Sequence, residues 1–317
     1  MERKTGVLLL NMGGPETQAD VHPFLYNLFS DRQIIRLGPP FLQRILAALI
    51  AYRRAPKSRL NYQKIGGGSP ISAITAQQAA ALEQMLAAAG TFIVRPAMRY
   101  WHPFAAASLM ELVSLGVTEL IALPLYPQYC RATSGSSLAD LREQNTKLGL
   151  NLPIKEIRSW PEEADYIASL AARINNGLAQ FGSTAVQVVY SAHSLPKQFI
   201  DEGDPYVEEL HRTIAAVERL TGQPGRLCFQ SRSGPVQWLE PSTPTMLRQL
   251  AAEGCTGILM VPIAFVSDHI ETLYEIDMLY KEMAQGLGMQ LISTPGLNDD
   301  PQFISGLRNL VLTCAAA

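Results

Sequence analysis

The sequence predicts an α/β fold of two related halves, each a four-stranded parallel sheet flanked by helices. Three observations carry this expectation. Eight short apolar runs alternate with longer stretches of helical period, as strands joined by helical crossovers do. The runs are apolar throughout instead of alternating, as in strands covered on both faces. Two of the runs recur: Gly116-Val-Thr-Glu-Leu-Ile-Ala-Leu-Pro124 matches Gly254-Cys-Thr-Gly-Ile-Leu-Met-Val-Pro262, 138 residues on, and Leu8–Asn11 matches Val188–Ser191, 180 residues on.

In chain order, strands are expected at Val7–Asn11, Thr91–Met98, Leu120–Leu125 and Ile154–Ile157, then at Val186–Ser191, Arg226–Gln230, Ile258–Ile263 and Gln290–Ser293. Helices are expected over Ala76–Ala89, Pro103–Leu115, Pro161–Leu178, Pro205–Leu220, Thr243–Ala252 and Thr272–Gly286. The length of 317 residues accommodates two domains of roughly 150 residues. The division falls near Trp160, giving halves 1–159 and 160–317, and the last helix is available to pack back on the first half. The two repeat offsets differ by 42 residues, so the first half carries an insertion, placed at about 30–70.

That insertion holds Leu37–Arg54, which opens on a Pro pair suited to a helix N-terminus. Phe41, Leu42, Ile45, Leu46, Leu49 and Ile50 form a broad apolar stripe, with Arg44, Arg53 and Arg54 beside it. Two readings stand: an amphipathic helix packed on the core, or a hydrophobic lip lying on a membrane surface or over an apolar ligand.

Composition narrows the function. Apolar residues make up 47% and charged residues only 17%, so the chain has ample core. A net charge of -2 argues against non-specific nucleic-acid binding, which needs a basic face. Cys130, Cys228, Cys255 and Cys314 are isolated and form no disulfide scaffold. The charged start is followed only by Val7–Leu10, too short for a signal peptide, which predicts a cytoplasmic protein. No run reaches the ~18 apolar residues of a membrane span.

Ligands of open parallel sheets bind at the carboxyl ends of strands. The fifth strand is followed by Ser191-Ala-His-Ser-Leu-Pro196 and the seventh by Phe265-Val-Ser-Asp-His-Ile-Glu-Thr-Leu-Tyr-Glu275. Glu271 and Glu275, four apart, share a helix face. His269 and Glu271 converge only at the strand-to-helix junction or where the helix opens into a π-turn. His193, with an intrinsic pKa near neutrality, is suited to taking a proton, and beside the acidic helix it forms a base-plus-carboxylate set. One or two histidines with carboxylates and no thiolate suit a borderline divalent metal such as Fe(II), handled transiently. The glycine-rich Asn11–Pro15 and Ile65–Pro70 match neither GxGxxG nor GxxxxGK[ST], so tight turns explain them as well as anion binding does. His22, His102 and His211 are read as structural.

These segments carry a family resemblance. Leu9–Thr17, Ile65–Ile71, Met98-Arg-Tyr-Trp-His-Pro103, Tyr126-Pro-Gln-Tyr129, Ser191–Pro196, Gly203–Tyr206, Trp238-Leu239 and Ser267–Glu275 resemble the ferrochelatases, nearly end to end. The resemblance implies two Rossmann-like, chelatase-type halves with a porphyrin cleft, and insertion of Fe(II) into protoporphyrin IX with release of two protons. It implies His193 and Glu271 as the catalytic pair, and His193, Glu271 and Glu275 as the metal or proton route. A third acidic position of some members is Leu279 here. Met12, Tyr62, Ser69, Tyr126, Trp238, Phe265 and His269 match substrate-lining positions, and Arg53, Arg54 or Arg99 is placed to pair with the propionates.

Some relatives carry a [2Fe–2S] cluster on a cysteine tail. The sequence ends at Thr313-Cys-Ala-Ala-Ala317, and Cys130 lies one position from the mid-chain cysteine those relatives use, so no cluster and no tightly bound cofactor are expected. The long insert resembles members that use protoporphyrin, which implies contact of Leu37–Tyr52 with the inner face of the cell membrane and a partner supplying porphyrin. The rival readings are a coproporphyrin chelatase, a cobalt or nickel chelatase of a more polar tetrapyrrole, and a non-catalytic haem or metal carrier.

Overall fold

The structure, a computed structural model, describes residues 4–232, 234 and 236–317. The chain divides into two compact units, Met1–Trp160 with Phe303–Ala317, and Pro161–Gln302. In the first, strands β1 (Thr5–Asn11), β2 (Phe92–Met98), β3 (Glu119–Pro124) and β4 (Ile154–Glu156) form a parallel sheet in the order β2-β1-β3-β4. In the second, β5 (Val186–His193), β6 (Gly225–Gln230), β7 (Gly257–Pro262) and β8 (Gln290–Ser293) repeat it as β6-β5-β7-β8. Each sheet therefore reverses its winding beside its first strand, which places a crevice at the carboxyl ends.

Burial on both faces explains the continuous apolar runs. All seven residues of β1 and all six of β7 are buried. Leu8, Leu10, Leu120 and Ala122 pack with helix residues Leu109, Leu112, Leu138 and Leu141 in the first unit. Val189, Ile258 and Met260 pack with Leu247, Ile276 and Tyr280 in the second.

The registers correct the repeat by one residue. Leu10 pairs with Pro124, and Ser191 pairs with Pro262. With the two prolines equivalent, β1 and β5 are offset by 181 residues instead of 180, and the excess in the first half is 43. Wholly apolar strands look alike after a one-residue slip, so matching their sequences does not fix register.

Expected elements lie within a few residues of the observed ones, with one change of type. The segment expected as helix Thr272–Gly286 is a π-helix, Glu271–Tyr280, followed by an α-turn, Lys281–Gly286. The last helix, Pro301–Ala316, lies in the first unit but for its first two residues. The Phe303 ring sits 6.1 Å from that of Trp160, and Lys155 Nζ donates to the Cys314 and Ala315 carbonyls at 3.2 and 2.8 Å.

The insertion forms a 22-residue helix, Gln43–Lys64, packed on helix Val21–Ser30. Its buried face is Gln43, Ala47, Ala51 and Ala55, a spacing of four. The expected stripe is split: Phe41 is 77% exposed, Ile45 65% and Leu49 45%, with Tyr52 beyond it at 73%, while Leu42, Leu46 and Ile50 are half-buried. The reading of a core-packed stripe is thereby corrected for Phe41, Ile45 and Leu49. Small side chains let the two helices approach closely, and the large ones are left on the outside. Gln43 pins the turn before the helix. Its amide donates to the Phe29 and Ile35 carbonyls at 2.8 and 3.0 Å and accepts from Leu37 N at 3.1 Å and Arg32 Nη1 at 3.2 Å. Among the described residues no helix is long and apolar enough to cross a membrane.

Candidate active site

In the second unit the polar groups collect at the carboxyl edge of the sheet. His193 is the last residue of β5, Gln230 the last of β6, and Glu271 opens the π-helix that follows β7. Because β6 and β7 flank β5, their ends converge on His193. Its Nδ1 lies 2.9 Å from Glu271 Oε2. The same oxygen lies 2.9 Å from Ser231 Oγ and accepts from Gln230 Nε2 at 3.3 Å. Ser231 Oγ is also 2.7 Å from Glu275 Oε2, so one hydroxyl joins both carboxylates.

The electrostatics follow from this geometry. Burial opposes charge on Glu271, but His193, His269 and the Ser231 hydroxyl outweigh it and hold the carboxyl down at about 2. Burial alone lowers the His193 pKa; the Glu271 charge and hydrogen bond, with Glu275 behind, more than reverse this and raise it. Glu275 moves the other way. Burial, then the Glu271 charge, push it up to about 7. The Glu271 carboxylate therefore makes His193 a stronger base than a free imidazole, while burial and the Glu271 charge hold the Glu275 carboxyl up at about 7. The His193 ring is 38% exposed and the Glu271 side chain 13%, so the base meets solvent and its partner does not.

His269 is buried. Its Nδ1 lies 3.0 Å from the Ser267 carbonyl, which only accepts, so Nδ1 carries a proton and Nε2 is turned toward Glu271 Oε1 at 4.0 Å. The Phe265 ring covers it at 4.5 Å. Asp268 accepts from Thr272 Oγ1, Gly296 N and Asn298 Nδ2 at 3.1, 3.2 and 2.8 Å, and so ties the start of the π-helix to the loop after β8. Trp238 bridges Pro196 just beyond His193, and its indole Nε1 is buried without a partner.

In the first unit, Met12, Arg99 and Tyr126 follow β1, β2 and β3, at the same edge of that sheet. Arg99 Nη2 donates to Asp31 at 2.8 Å and Nε to Ser136 Oγ at 2.8 Å; Asp31 also receives Tyr100 OH and Ser136 Oγ. The guanidinium is thus already neutralised by a carboxylate. Arg54 lies 5.3 Å from the centre of the Phe29 ring, and Arg53 is exposed. Tyr62 and Ser69 are buried. A Cβ on Gly14 would meet Ser69 Cβ at 2.6 Å and one on Gly68 the Glu16 carbonyl oxygen at 2.0 Å. The two glycine-rich loops thus pack on each other, and close approach accounts for these two glycines.

Gln230 and Ser231 escaped the reading of the sequence. Their signal was position: they end the sixth apolar run, as His193 ends the fifth. Among the described residues no group of three or more His, Cys, Asp or Glu side chains is arranged to hold a metal; His193 and Glu271 face each other.

Two sheets of identical order, with an imidazole–carboxylate pair at the strand ends of one, define a chelatase-type enzyme. The fold is similar to that of SirB from Bacillus subtilis, solved with Fe3+ (TM-score 0.56, 12% identity, 99% of this chain and 96% of that one). It is also similar to CbiX, described as the terminal enzyme for siroheme biosynthesis in denitrifying bacteria (TM-score 0.51, 14% identity, 97% and 98%). Residues 4–314 match the ferrochelatase family. A ferrochelatase of Desulfotalea psychrophila is 60% identical over 308 residues, 97% of this chain and 96% of that one. A ferrochelatase of Geotalea uraniireducens is 50% identical over 314 residues, 98% of each. The chain belongs to the ferrochelatase family, lyases that insert iron into a porphyrin to make haem.

Proposed function

We propose that the protein inserts Fe(II) into protoporphyrin IX, with His193 receiving the pyrrole protons one at a time, Glu271 stabilising the imidazolium and Glu275 carrying each proton on to solvent. The observation that carries this reading is the His193–Glu271 contact at 2.9 Å, linked through Ser231 to Glu275. Metal enters a porphyrin only as two N–H protons leave, and a flat macrocycle shields them. Bending the ring exposes them to a base. His193 Nε2 is the ring nitrogen not spent on Glu271, and it is the atom that takes a proton. Glu271 stabilises the imidazolium that forms. Glu275, poised near 7, passes protons to and from solvent. Iron is a substrate in this scheme, held briefly by His193, Glu271 and Glu275, and no resident cofactor or [2Fe–2S] cluster takes part.

The choice of protoporphyrin rests on the lip. Phe41, Ile45, Leu49 and Tyr52 offer an exposed apolar face, with Arg44 and Arg53 exposed beside it. Such a face suits the interface of an anionic membrane, where a poorly soluble porphyrin resides. The protein then works at the cytoplasmic face of that membrane and receives porphyrin there, from the lipid or from a partner that delivers it. Arg53 is an exposed guanidinium available to a propionate, and in the second unit Trp238, Phe265 and His269 are the residues offered to the macrocycle beside His193. The test is an anaerobic assay of purified protein with Fe(II), run on protoporphyrin and coproporphyrin side by side. Catalytic loss of protoporphyrin fluorescence is expected. Stoichiometric quenching alone makes the protein a carrier, and turnover of coproporphyrin only overturns the substrate.

A further inference from the structure

Ser231 stands directly after β6 with φ of +63°, a left-handed conformation that a serine keeps only where its surroundings hold it. Gln230, its neighbour, is held in turn: Ser191 Oγ donates to Gln230 Oε1 at 2.6 Å. From this anchored position the Ser231 hydroxyl lies 2.9 Å from Glu271 Oε2 and 2.7 Å from Glu275 Oε2. The two oxygens therefore sit within about 6 Å of each other, although Glu271 and Glu275 repel when both are charged. A serine hydroxyl has one proton, so it donates to one of the two at a time. The contacts use Oε2 of each carboxylate.

We infer that Ser231 is a positioning residue that brackets the Glu271 and Glu275 carboxylates at the spacing from which they receive the divalent metal substrate. This rests on the function proposed above and adds a residue to it. Metal–carboxylate bonds of ~2.0–2.2 Å require carboxylate oxygens only a few ångströms apart. Without the hydroxyl, like charge drives the two side chains apart, and each metal ion has to draw them together again. The cost falls on metal capture, not on porphyrin binding.

The test is steady-state insertion of Zn(II) or Fe(II) by the full chain, with metal and porphyrin varied separately. Ser231→Ala removes the hydroxyl; Ser231→Gly removes it and also frees the left-handed backbone from strain. Ser231→Asn tolerates the same backbone and supplies two N–H donors, one for each carboxylate. In the Ala and Gly variants the KM for metal is expected to rise about tenfold, the effect of losing a hydrogen bond to a charged group. The KM for porphyrin should stay within about twofold, and the Asn variant should recover most of the metal KM. An unchanged metal KM in Ser231→Gly overturns the inference. So does an equal rise in both KM values, or an Asn variant as impaired as the Gly variant. Failure of the unmodified protein to turn over any porphyrin is a separate result, and it overturns the proposed function instead.

Discussion

Glu271→Gln keeps the shape of the side chain at the centre of the site and removes its charge. The carboxyl is held from an ordinary 4.5 down to about 2, a gap worth ~3 kcal/mol at about 1.4 kcal/mol per pH unit. A lowered carboxyl contributes stability above 4.5 and loses it as pH falls toward 2. A raised imidazole, His193, contributes below 6.5 and loses its contribution as pH rises through the raised value. Both are in force between about 4.5 and 6.5. They describe one shared interaction, so the loss is counted once. Removing Glu271 also relieves Glu275, whose pKa then falls from about 7, and this offsets part of the cost. Urea unfolding at pH 5.5 should therefore show the variant less stable by at most ~3 kcal/mol, with the deficit shrinking above the His193 titration. The histidine NMR titration should move to lower pH, and kcat/KM should fall by about 10²–10⁴. A deficit that does not vary with pH, together with an unmoved His193 titration, would refute the reasoning.

Other outcomes follow from the same structure. His193→Ala should abolish metal insertion by about 10²–10⁴ while porphyrin still binds, as read by fluorescence titration; full turnover would sink the assignment. Phe41→Ser with Ile45→Ser should weaken co-sedimentation with phosphatidylglycerol vesicles tenfold or more, leaving activity on detergent-dispersed porphyrin intact. Gln43→Ala strands the groups its amide holds and should cost about 1–3 kcal/mol, with faster hydrogen exchange over residues 29–43; unchanged exchange would show that the amide does not pin the lip. Purified protein should contain no acid-labile sulfide, and a visible-absorbance shoulder with sulfide present would contradict the expectation of no [2Fe–2S] cluster.

Much of the architecture was legible in the sequence because burial on both faces writes itself as uninterrupted apolar runs. The same uniformity hid the register: Leu8–Asn11 resembles Val188–Ser191 as well at an offset of 180 as at the true 181, and only the ladder decides. The lip was half legible. Its helix and its large apolar residues were evident, but Ala47, Ala51 and Ala55 form an equally regular stripe, and periodicity does not say which faces inward. At the site, His193, Glu271 and Glu275 stood out because imidazole and paired carboxylates are chemically rare at strand ends. Gln230 and Ser231 are ordinary polar residues, and only the folded sheet brings them to Glu271.

The corrected register bears on how the duplicated scaffold is used. With Leu10 equivalent to Ser191, Met12 in the first unit occupies the place of His193 in the second. By the β1–β2 and β5–β6 pairings, Arg99 occupies that of Gln230. One edge thus presents a thioether where the other presents a base. It also presents a guanidinium neutralised by Asp31 where the other has an amide serving Glu271. The first edge is left without a titrating group at its central strand end, and the second gathers an imidazole and two carboxylates there. Metal insertion needs an apolar surface for the macrocycle, and separately a place to take protons and offset a doubly charged ion. Divergence at equivalent positions has thus concentrated an imidazole and two carboxylates at the central strand end of the second sheet, while the first sheet carries a thioether at its own.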